Sequence, residues 1–199
     1  MTMAQRSALA TELLTMLAED QAVRAELARD GSLFHGYHPR MEAVHRRNAE
    51  RLRAIITAQG WPTPSLVGAE AAEAAWVIVQ HSIGEPDFQR RCLRLLQAMP
   101  GEVPPLQVAM LEDRIRVFEG KPQRYGTQFD WDEQGQLSPH PIEEADTVDE
   151  RRRELGLLPL EEDLQQRREQ IAQTNEKPPS DWAARKREEE DWLRKAGWR

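Results

Sequence analysis

Two histidines and one tyrosine have side chains and positions suited to acid–base chemistry. His45 lies within the apolar face of a predicted helix, His81 lies at the end of another, and Tyr125 belongs to a polar loop. Histidine is the usual general base because its imidazole exchanges a proton near neutral pH. We therefore predict His81 as the base of a catalytic site, with Tyr125 or His45 as its acid.

Charged side chains interrupt the apolar faces of other predicted helices. Asp20 and Arg24 lie four residues apart, so they can pair on one side of the first helix, either as a staple between helices or within a site. Arg114 interrupts the apolar face of the fifth helix at its middle, and Asp113 lies at the edge of that face. We predict both aspartates as acidic or orienting groups, with Asp113 in the catalytic set. Together with Arg152, the arginines supply three cations against two carboxylates, which favours a small anionic or peptide-like ligand.

The loop at residues 121–128 is denser in hydrogen-bonding groups than a plain connector requires. It follows a strongly patterned helix and places two amides, a phenol and a hydroxyl around Gly126. Because glycine permits a tight turn, we predict that this loop forms the wall or lid of the site and presents Tyr125 and Gln128 to the ligand. The neutral residues predicted to bind substrate are Asn48, Gln80, Gln123, Thr127 and Gln128.

Apolar residues recur at helical spacing along most of the chain, which predicts an all-α fold. The pattern indicates a small helical bundle, an irregular polar loop region after the fifth helix, and a C-terminal helical arm. A short hairpin is predicted around residues 132–136 of the irregular region. The predicted helices span residues 4–28, 39–59, 65–82, 86–99, 105–120, 146–155, 160–173 and 181–196.

A change in composition after residue 173 suggests how the chain is divided. The next residues are polar and rich in proline, and residues 181–196 carry blocks of charge with few side chains to bury. We predict one helical domain over residues 1–173, which carries the site, and a linker with a C-terminal arm over residues 174–199. The arm is expected to dock loosely, or to bind a protein partner or a second copy of the chain.

Composition argues against several classes of function. With 199 residues, 39% hydrophobic and 31% charged, and a net charge of -7, the chain describes a soluble protein without a basic surface for nucleic acid. Its longest apolar run is far shorter than the ~20 residues that span a bilayer, so we expect no membrane segment and a cytoplasmic location. We predict no cofactor, because the sequence has no nucleotide-binding glycine motif, no phosphate loop and, with one cysteine, no thiolate cluster.

Two functions of different kinds remain open. The first is a small enzyme that performs hydrolysis or elimination by acid–base chemistry, and the second is a binding or interaction module whose buried polar network is structural. A pocket connected to solvent would favour the enzyme, whereas closed and dry pairs would favour the module. No metal is predicted, although His45, His81 and Asp113 could form a metal site if three helices brought them together.

Several short motifs occur together in this chain. They are Gly60-Trp61-Pro62, Gln80-His81, Asp113-Arg114 and Gln123-Arg124-Tyr125-Gly126-Thr127-Gln128. In this combination the chain resembles, over about residues 13–164, a widespread bacterial family of uncharacterised proteins that share a domain of unknown function. The pattern also includes Asp20-Gln21 with Arg24, and Arg152-Arg153 with Gly156-Leu157. The resemblance implies a common fold and a common site, and it implies no particular reaction.

Overall fold

Helices form where apolar residues recur every three to four positions, and the prediction of a mostly helical fold is confirmed. A computed structural model describes residues 1–34, 36–174 and 177–199. The chain divides into two compact units, which we call unit 1 (Met1–Pro104) and unit 2 (Pro105–Arg199). No helix in the described parts of the chain combines the length and the apolar composition needed to cross a bilayer.

Unit 1 is built around one nearly apolar helix. Its helices are α1 (Met3–Arg29), α2 (Pro39–Gln59), α3 (Pro64–Val67), α4 (Ala69–His81) and α5 (Pro86–Gln97). The other four helices all contact α4, whose small side chains Ala71, Ala74 and Ala75 are buried. Leu13 of α1 and Leu52 of α2 are also fully buried. Because α1, α2 and α4 pack together closely, polar side chains that they direct inward must find partners on one another.

The helix predicted over residues 65–82 is in fact two helices. Gly68 separates α3 from α4 with a φ of +85°, a backbone conformation that cannot continue a helix. Periodicity alone does not reveal the break, because Gly68 lies in an otherwise apolar run. The ends of α1, α2 and α5 lie within two residues of the predicted positions.

Unit 2 combines helices with a small hairpin. Its elements are α6 (Pro105–Phe118), β1 (Phe129–Trp131), β2 (Leu137–Pro139), α7 (Val148–Glu154), α8 (Leu160–Thr174) and α9 (Trp182–Ala196). β1 and β2 pair antiparallel. Asp132 closes the turn between them, since its carboxylate accepts hydrogen bonds from the backbone of Gln134 and Gln136 and from the hydroxyl of Ser138. The hairpin predicted around residues 132–136 is therefore present.

The C-terminal helix α9 contacts the rest of unit 2 at both of its ends. Leu193 and Trp198 are buried, and the ring of Trp198 lies 5.1 Å from that of Phe118. At the other end, Nε1 of Trp182 donates a hydrogen bond to the carbonyl oxygen of Trp131. Residues 175 and 176 of the predicted linker lie outside the described residues.

We predict that His140 makes the stability of unit 2 depend on pH. Burial, together with the charge of Lys186, lowers the pKa of His140 below its ordinary value of 6.5 and outweighs the opposite effect of Asp130. The unfolded chain then takes up a proton more readily than the folded chain. Stability is therefore complete above about pH 6.5 and decreases as the pH falls through the folded-state pKa.

His140→Gln removes this titration, so the variant should lose less stability than the natural chain between about pH 7 and about pH 5. Denaturant unfolding at each pH measures the difference. His38→Asn, which alters a histidine in unit 1, serves as the control. An identical pH dependence in the His140→Gln variant and the natural chain would contradict the prediction.

Candidate functional site

The predicted site residues fall into two groups, one in each unit. Unit 1 contains Asp20, Arg24, His45, Asn48, Gln80 and His81. Unit 2 contains Asp113, Arg114, Gln123, Tyr125, Thr127, Gln128 and Arg152. Each group is centred on one buried aspartate, but the partners of the two carboxylates differ in kind.

In unit 1, three helices bring Asp20, His45 and His81 together. Asp20 is 1% exposed on the buried face of α1. Nδ1 of His81, the last residue of α4, lies 3.0 Å from both carboxylate oxygens. Nε2 of His45, on α2, lies 3.2 Å from Oδ2 of Asp20, and the two imidazole rings are 5.3 Å apart. One buried carboxylate therefore contacts both histidines of the predicted site.

The two histidines stabilise the charged form of Asp20. Burial by itself raises the pKa of this carboxyl, because it penalises the charged form, but the contacts and charges of His45 and His81 outweigh it. The pKa of Asp20 consequently lies well below its ordinary value of 3.8. Near neutral pH, Asp20 is an acceptor of hydrogen bonds or a ligand rather than a proton donor.

Tyr37, which was not part of the predicted site, contacts the other ring nitrogen of His45. Its phenolic oxygen lies 2.8 Å from Nδ1 of His45, and the two rings stack with their centroids 5.7 Å apart. Burial raises the pKa of Tyr37, with a further contribution from Glu42, so the phenol keeps its proton. A signal was present in the sequence: Tyr37 is one of only two tyrosines and lies just before the helix that carries His45.

Polar side chains hold the end of α4 and so position His81. The hydroxyl of Ser82 and the amide of Gln89 donate hydrogen bonds, at 2.7 and 2.6 Å, to carbonyl oxygens in the last turn of α4. They add to the hydrogen bonds of 3.1 Å that the backbone N–H of Ser82 donates to the same two carbonyl oxygens, so side chains as well as backbone hold the last turn of α4. The side chain of His81 remains 30% exposed, in contrast to that of Asp20. His81 is therefore fixed at its backbone and accessible at its ring.

A small, shallow depression opens beside His45. Its walls carry both signs of charge, because Arg46 pairs with Glu42 at 2.5 Å and lies 4.0 Å from Glu85. The residues that line it are Tyr37, Glu42, His45, Arg46, Ser82, Gly84 and Glu85. Solvent thus reaches the cluster at this depression and at the exposed part of His81.

Arg24 does not serve as the partner of Asp20. The sequence predicted that these two residues could pair across one helical turn, yet Arg24 is exposed. Asp20 contacts His45 and His81 instead. The reason is packing, since Asp20 faces the neighbouring helices while a long guanidinium side chain four residues on can reach water. Arg24 remains available for an anionic ligand.

The two amides predicted in unit 1 have different surroundings. Asn48 is buried and donates a hydrogen bond of 3.3 Å to the carbonyl oxygen of Met16, which joins α2 to α1. Gln80 is also buried, but neither end of its side-chain amide has a hydrogen-bond partner within the described residues. Asn48 therefore serves packing, whereas Gln80 keeps its hydrogen-bonding capacity.

In unit 2, the carboxylate of Asp113 holds the polar loop. Asp113 is 0% exposed. Its Oδ1 accepts hydrogen bonds from the backbone N–H of Arg124 and Tyr125 at 2.6 and 3.1 Å. Its Oδ2 accepts from the backbone N–H and the hydroxyl of Thr127 at 3.0 and 2.9 Å. Both oxygens are therefore taken by donors of the loop.

Gln123 and Gln128 complete the loop from within. Gln123 is fully buried, and its Nε2 donates hydrogen bonds of 2.9 Å to the carbonyl oxygens of Gln128 and His140. Its Oε1 accepts from the backbone N–H of Gln128 at 2.9 Å. The amide of Gln128 in turn donates to the hydroxyl of Thr127 at 3.2 Å. These amides close the loop on itself rather than leave it open to a ligand.

Arg152 braces the same loop from α7. It is fully buried, and its Nη1 donates to the carbonyl oxygens of Tyr125 and Gly126 at 2.8 and 3.0 Å. Its Nη2 pairs with Asp163 at 2.8 Å. Arg152 was predicted as a cation for an anionic ligand, but its donors are used by the protein itself.

Among the described residues of unit 2, the side chains of Arg114 and Tyr125 are less engaged in hydrogen bonds than those of their neighbours. Nε of Arg114 is buried and forms no hydrogen bond in the part of the chain that the structure describes. Burial lowers the pKa of Arg114 to about 10, so the guanidinium is charged at neutral pH. Tyr125 is half-buried, and burial raises its pKa. Within the described residues, the buried Nε–H of Arg114 thus has unused hydrogen-bonding capacity, and the phenol of Tyr125 keeps its proton.

The cluster of unit 1 has donors suited to a metal ion. One ligand atom from each of Asp20, His45 and His81 lies within 4.8 Å of the other two. The alternative weighed from the sequence used Asp113 with the two histidines, but the oxygens of Asp113 are engaged by its loop. Asp20 takes the place that the alternative gave to Asp113.

We predict that Asp113 contributes strongly to the stability of unit 2. Asp113→Asn keeps the size of the side chain but turns an amide donor toward loop groups that are themselves donors. Loss of about 2–4 kcal/mol in the free energy of unfolding is expected, because buried partners are left unsatisfied. Denaturant unfolding measures it. Glu112→Gln, the same change one residue earlier at a part-exposed pair with Arg124, should cost less than about 1 kcal/mol; equal losses would contradict the assignment.

Gly126 should resist substitution for a reason specific to this loop. A Cβ there would lie 2.8 Å from Cδ1 of Leu160 and 3.2 Å from Cδ1 of Ile142, in a backbone with a φ of +66°. Gly126→Ala is therefore expected to lose about 1–2 kcal/mol from strain and about 0.5–1.5 kcal/mol from the displacement of the Leu160 and Ile142 side chains. Gly156→Ala, with a φ of +71° and nothing within 4 Å, should show the strain alone. Equal unfolding midpoints for the two variants would refute the crowding.

Comparison with known proteins identifies the family of the chain but does not assign an activity to it. Neither the curated proteins nor the solved structures contain a match to the chain. The model of one family, described as a family of unknown function (DUF6624), matches residues 7–172 and thus both groups of site residues. The chain therefore belongs to the family DUF6624.

Proposed function

We propose that unit 1 carries a small acid–base centre that performs hydrolysis or elimination, with Asp20, His45 and His81 as its working residues. One observation carries the proposal. Asp20, at 1% exposure, contacts two imidazoles, and His81 is 30% exposed at its side chain. A buried carboxylate that orients an accessible imidazole is the arrangement that prepares a histidine to accept a proton.

A water molecule is the nucleophile that best fits a hydrolytic reaction. The hydroxyl of Thr127 donates to Asp113 and accepts from Gln128, so it is not prepared for attack. Cys92 is buried, and burial raises the pKa of its thiol to about 12, which keeps it protonated. The oxygen of the water attacks the substrate while His81 takes its proton. The bond to the leaving group then breaks, and the same proton passes from His81 to that group.

Asp20 and Tyr37 are positioning residues in this proposal. Asp20 contacts Nδ1 of His81 and therefore favours the tautomer whose Nε2 can accept a proton. Tyr37 holds the ring of His45 through Nδ1, and His45 adds a second contact to Asp20. The substrate is proposed to be small and anionic or peptide-like, supported by the exposed Arg24 one turn after Asp20. A cytoplasmic location stays a prediction.

A structural role is the second candidate, and one observation favours it for the loop at residues 121–128. Both oxygens of Asp113 are occupied by hydrogen bonds from the loop, and Arg152 is fully buried against its carbonyl oxygens. Such a satisfied network specifies a conformation without taking part in chemistry. We propose that the loop presents Tyr125 and its outer surface to a partner or ligand as a rigid element.

The proposed centre predicts a loss of activity when its base is removed. The assay is a panel of small carboxylate and phosphate esters and short peptides, followed by kinetics on any substrate that is turned over. We expect His81→Gln to lower kcat/KM by about 10²–10⁴-fold, the usual contribution of a positioned base. Asp20→Asn should lower it as well, because the amide cannot orient the imidazole as the carboxylate does.

Matched controls separate chemistry from folding. His38→Asn and His140→Gln each remove a histidine outside the cluster and should retain the activity. The melting temperature of every variant is compared, since Asp20→Asn removes a buried charge and destabilises unit 1. Full activity of a folded His81→Gln variant would exclude His81 as the base.

A further inference from the structure

We infer that Asp20, His45 and His81 form the binding site of a single divalent transition-metal ion, with Zn²⁺ as its representative. The inference deepens the proposed function by assigning the activation of water to an ion. Its catalytic consequence rests on that function, whereas the binding itself rests only on the geometry of unit 1.

The spacing of the three ligand atoms fits an ion between them. The carboxylate of Asp20 lies 3.0 Å from Nδ1 of His81 and 3.2 Å from Nε2 of His45, and a full set of ligand atoms lies within 4.8 Å. Bonds of about 2.0–2.2 Å from zinc to imidazole and carboxylate place tetrahedral ligands about 3.3 Å apart. An ion can therefore enter with small movements of the side chains.

Within the cluster of Asp20, His45 and His81, Nε2 of His45 is a buried atom that lacks a hydrogen bond from the described residues. Oδ2 of Asp20 lies 3.2 Å away and forms an ion contact with the ring, but no hydrogen bond. A buried ring nitrogen without a bond costs free energy. A lone pair directed at an ion beside Asp20 removes that cost.

Tyr37 supplies the outer contact that a metal-binding histidine requires. A histidine that binds a metal through one nitrogen usually directs the N–H of the other to an oxygen, which fixes its tautomer. The phenolic oxygen of Tyr37 lies 2.8 Å from Nδ1 of His45 and can accept that bond. With Nδ1 carrying the proton, Nε2 of His45 presents its lone pair to Asp20 and His81.

The type and number of donors select the ion. Two imidazoles and one carboxylate suit Zn²⁺, Co²⁺ or Fe²⁺, whereas Mg²⁺ and Ca²⁺ prefer sites made of oxygen. Three protein ligands leave a coordination position for water, as in catalytic zinc sites. The bound water gives one proton to solvent and remains on the ion as hydroxide. With the ion bound, both histidines are ligands, and the ion rather than His81 activates the water.

The test measures metal binding directly and needs no substrate. Purified full-length chain is stripped with a chelator and titrated with Zn²⁺ by calorimetry, and metal content is measured after dialysis. One equivalent is expected, with little response to Mg²⁺. Binding is expected to be lost in Asp20→Asn and His81→Ala variants, and Tyr37→Phe should weaken it about 10–100-fold through the outer contact. His38→Asn and His140→Gln should bind as the natural chain does.

A second measurement uses the unsubstituted chain, so it does not depend on variants that fold. The imidazole nitrogen resonances of His45 and His81 should shift on addition of Zn²⁺, at Nε2 and Nδ1 respectively, and those of His140 should not. Co²⁺ provides an independent readout through its visible absorption. No binding of Zn²⁺, or binding that leaves these two rings unchanged, overturns the inference.

Failure of the inference and failure of the proposed function can be told apart. Activity that survives complete removal of metal, without shifts at His45 and His81, refutes the ion and keeps the acid–base centre. Binding at these two rings without turnover of any substrate in the panel keeps the ion and counts against the hydrolytic function.

Discussion

The burial of Asp20 is the constraint on which the arrangement of unit 1 depends. Removing a carboxylate from water costs several kcal/mol, and the backbone donors of its own helix are already used within α1. The charge must be met by side chains from other helices, and His45 and His81 meet it from α2 and α4. A rotation of either helix that withdrew its imidazole would leave the carboxylate with fewer partners, so the cluster also fixes how the helices face one another.

Unit 2 meets the same constraint by another route. Asp113 is as deeply buried as Asp20, but its partners are mainly backbone N–H groups of a loop that returns to α6. Such donors can be supplied only when the loop takes one conformation, which is why Gly126 has a positive φ and why Arg152 covers the carbonyl oxygens on its other side. The hydrogen bonds that fold this loop explain its high density of polar groups.

Sequence periodicity predicted the helical fold well because it depends on local spacing, and the helix starting at Pro39 and ending at Gln59 matches the prediction at both ends. The prediction failed where the conformation of the backbone, rather than the spacing of side chains, ends a helix, as at Gly68. For the site, interruptions of apolar faces correctly marked Asp20 and His45 as buried, whereas Asp113, predicted at the edge of its apolar face, is fully buried. Periodicity could not say which partner each would find, because Arg24 and the two histidines lie at very different distances along the chain from Asp20. Tyr37 was not among the predicted site residues because it lies in a connector, where helical spacing gives no signal.

The two buried aspartates differ in what their partners can do next, and this difference separates structure from chemistry. Backbone amides cannot change their protonation, so Asp113 is held in a state that is complete and fixed. Imidazoles can gain or lose a proton or exchange it for an ion, so the partners of Asp20 have more than one state available. One of those partners is accessible to solvent and the other has a ring nitrogen without a hydrogen bond among the described residues. A catalytic centre requires groups that can still bind a proton or an ion next to a charge held in place. In this chain, His45 and His81 are such groups, and Asp20 is the charge.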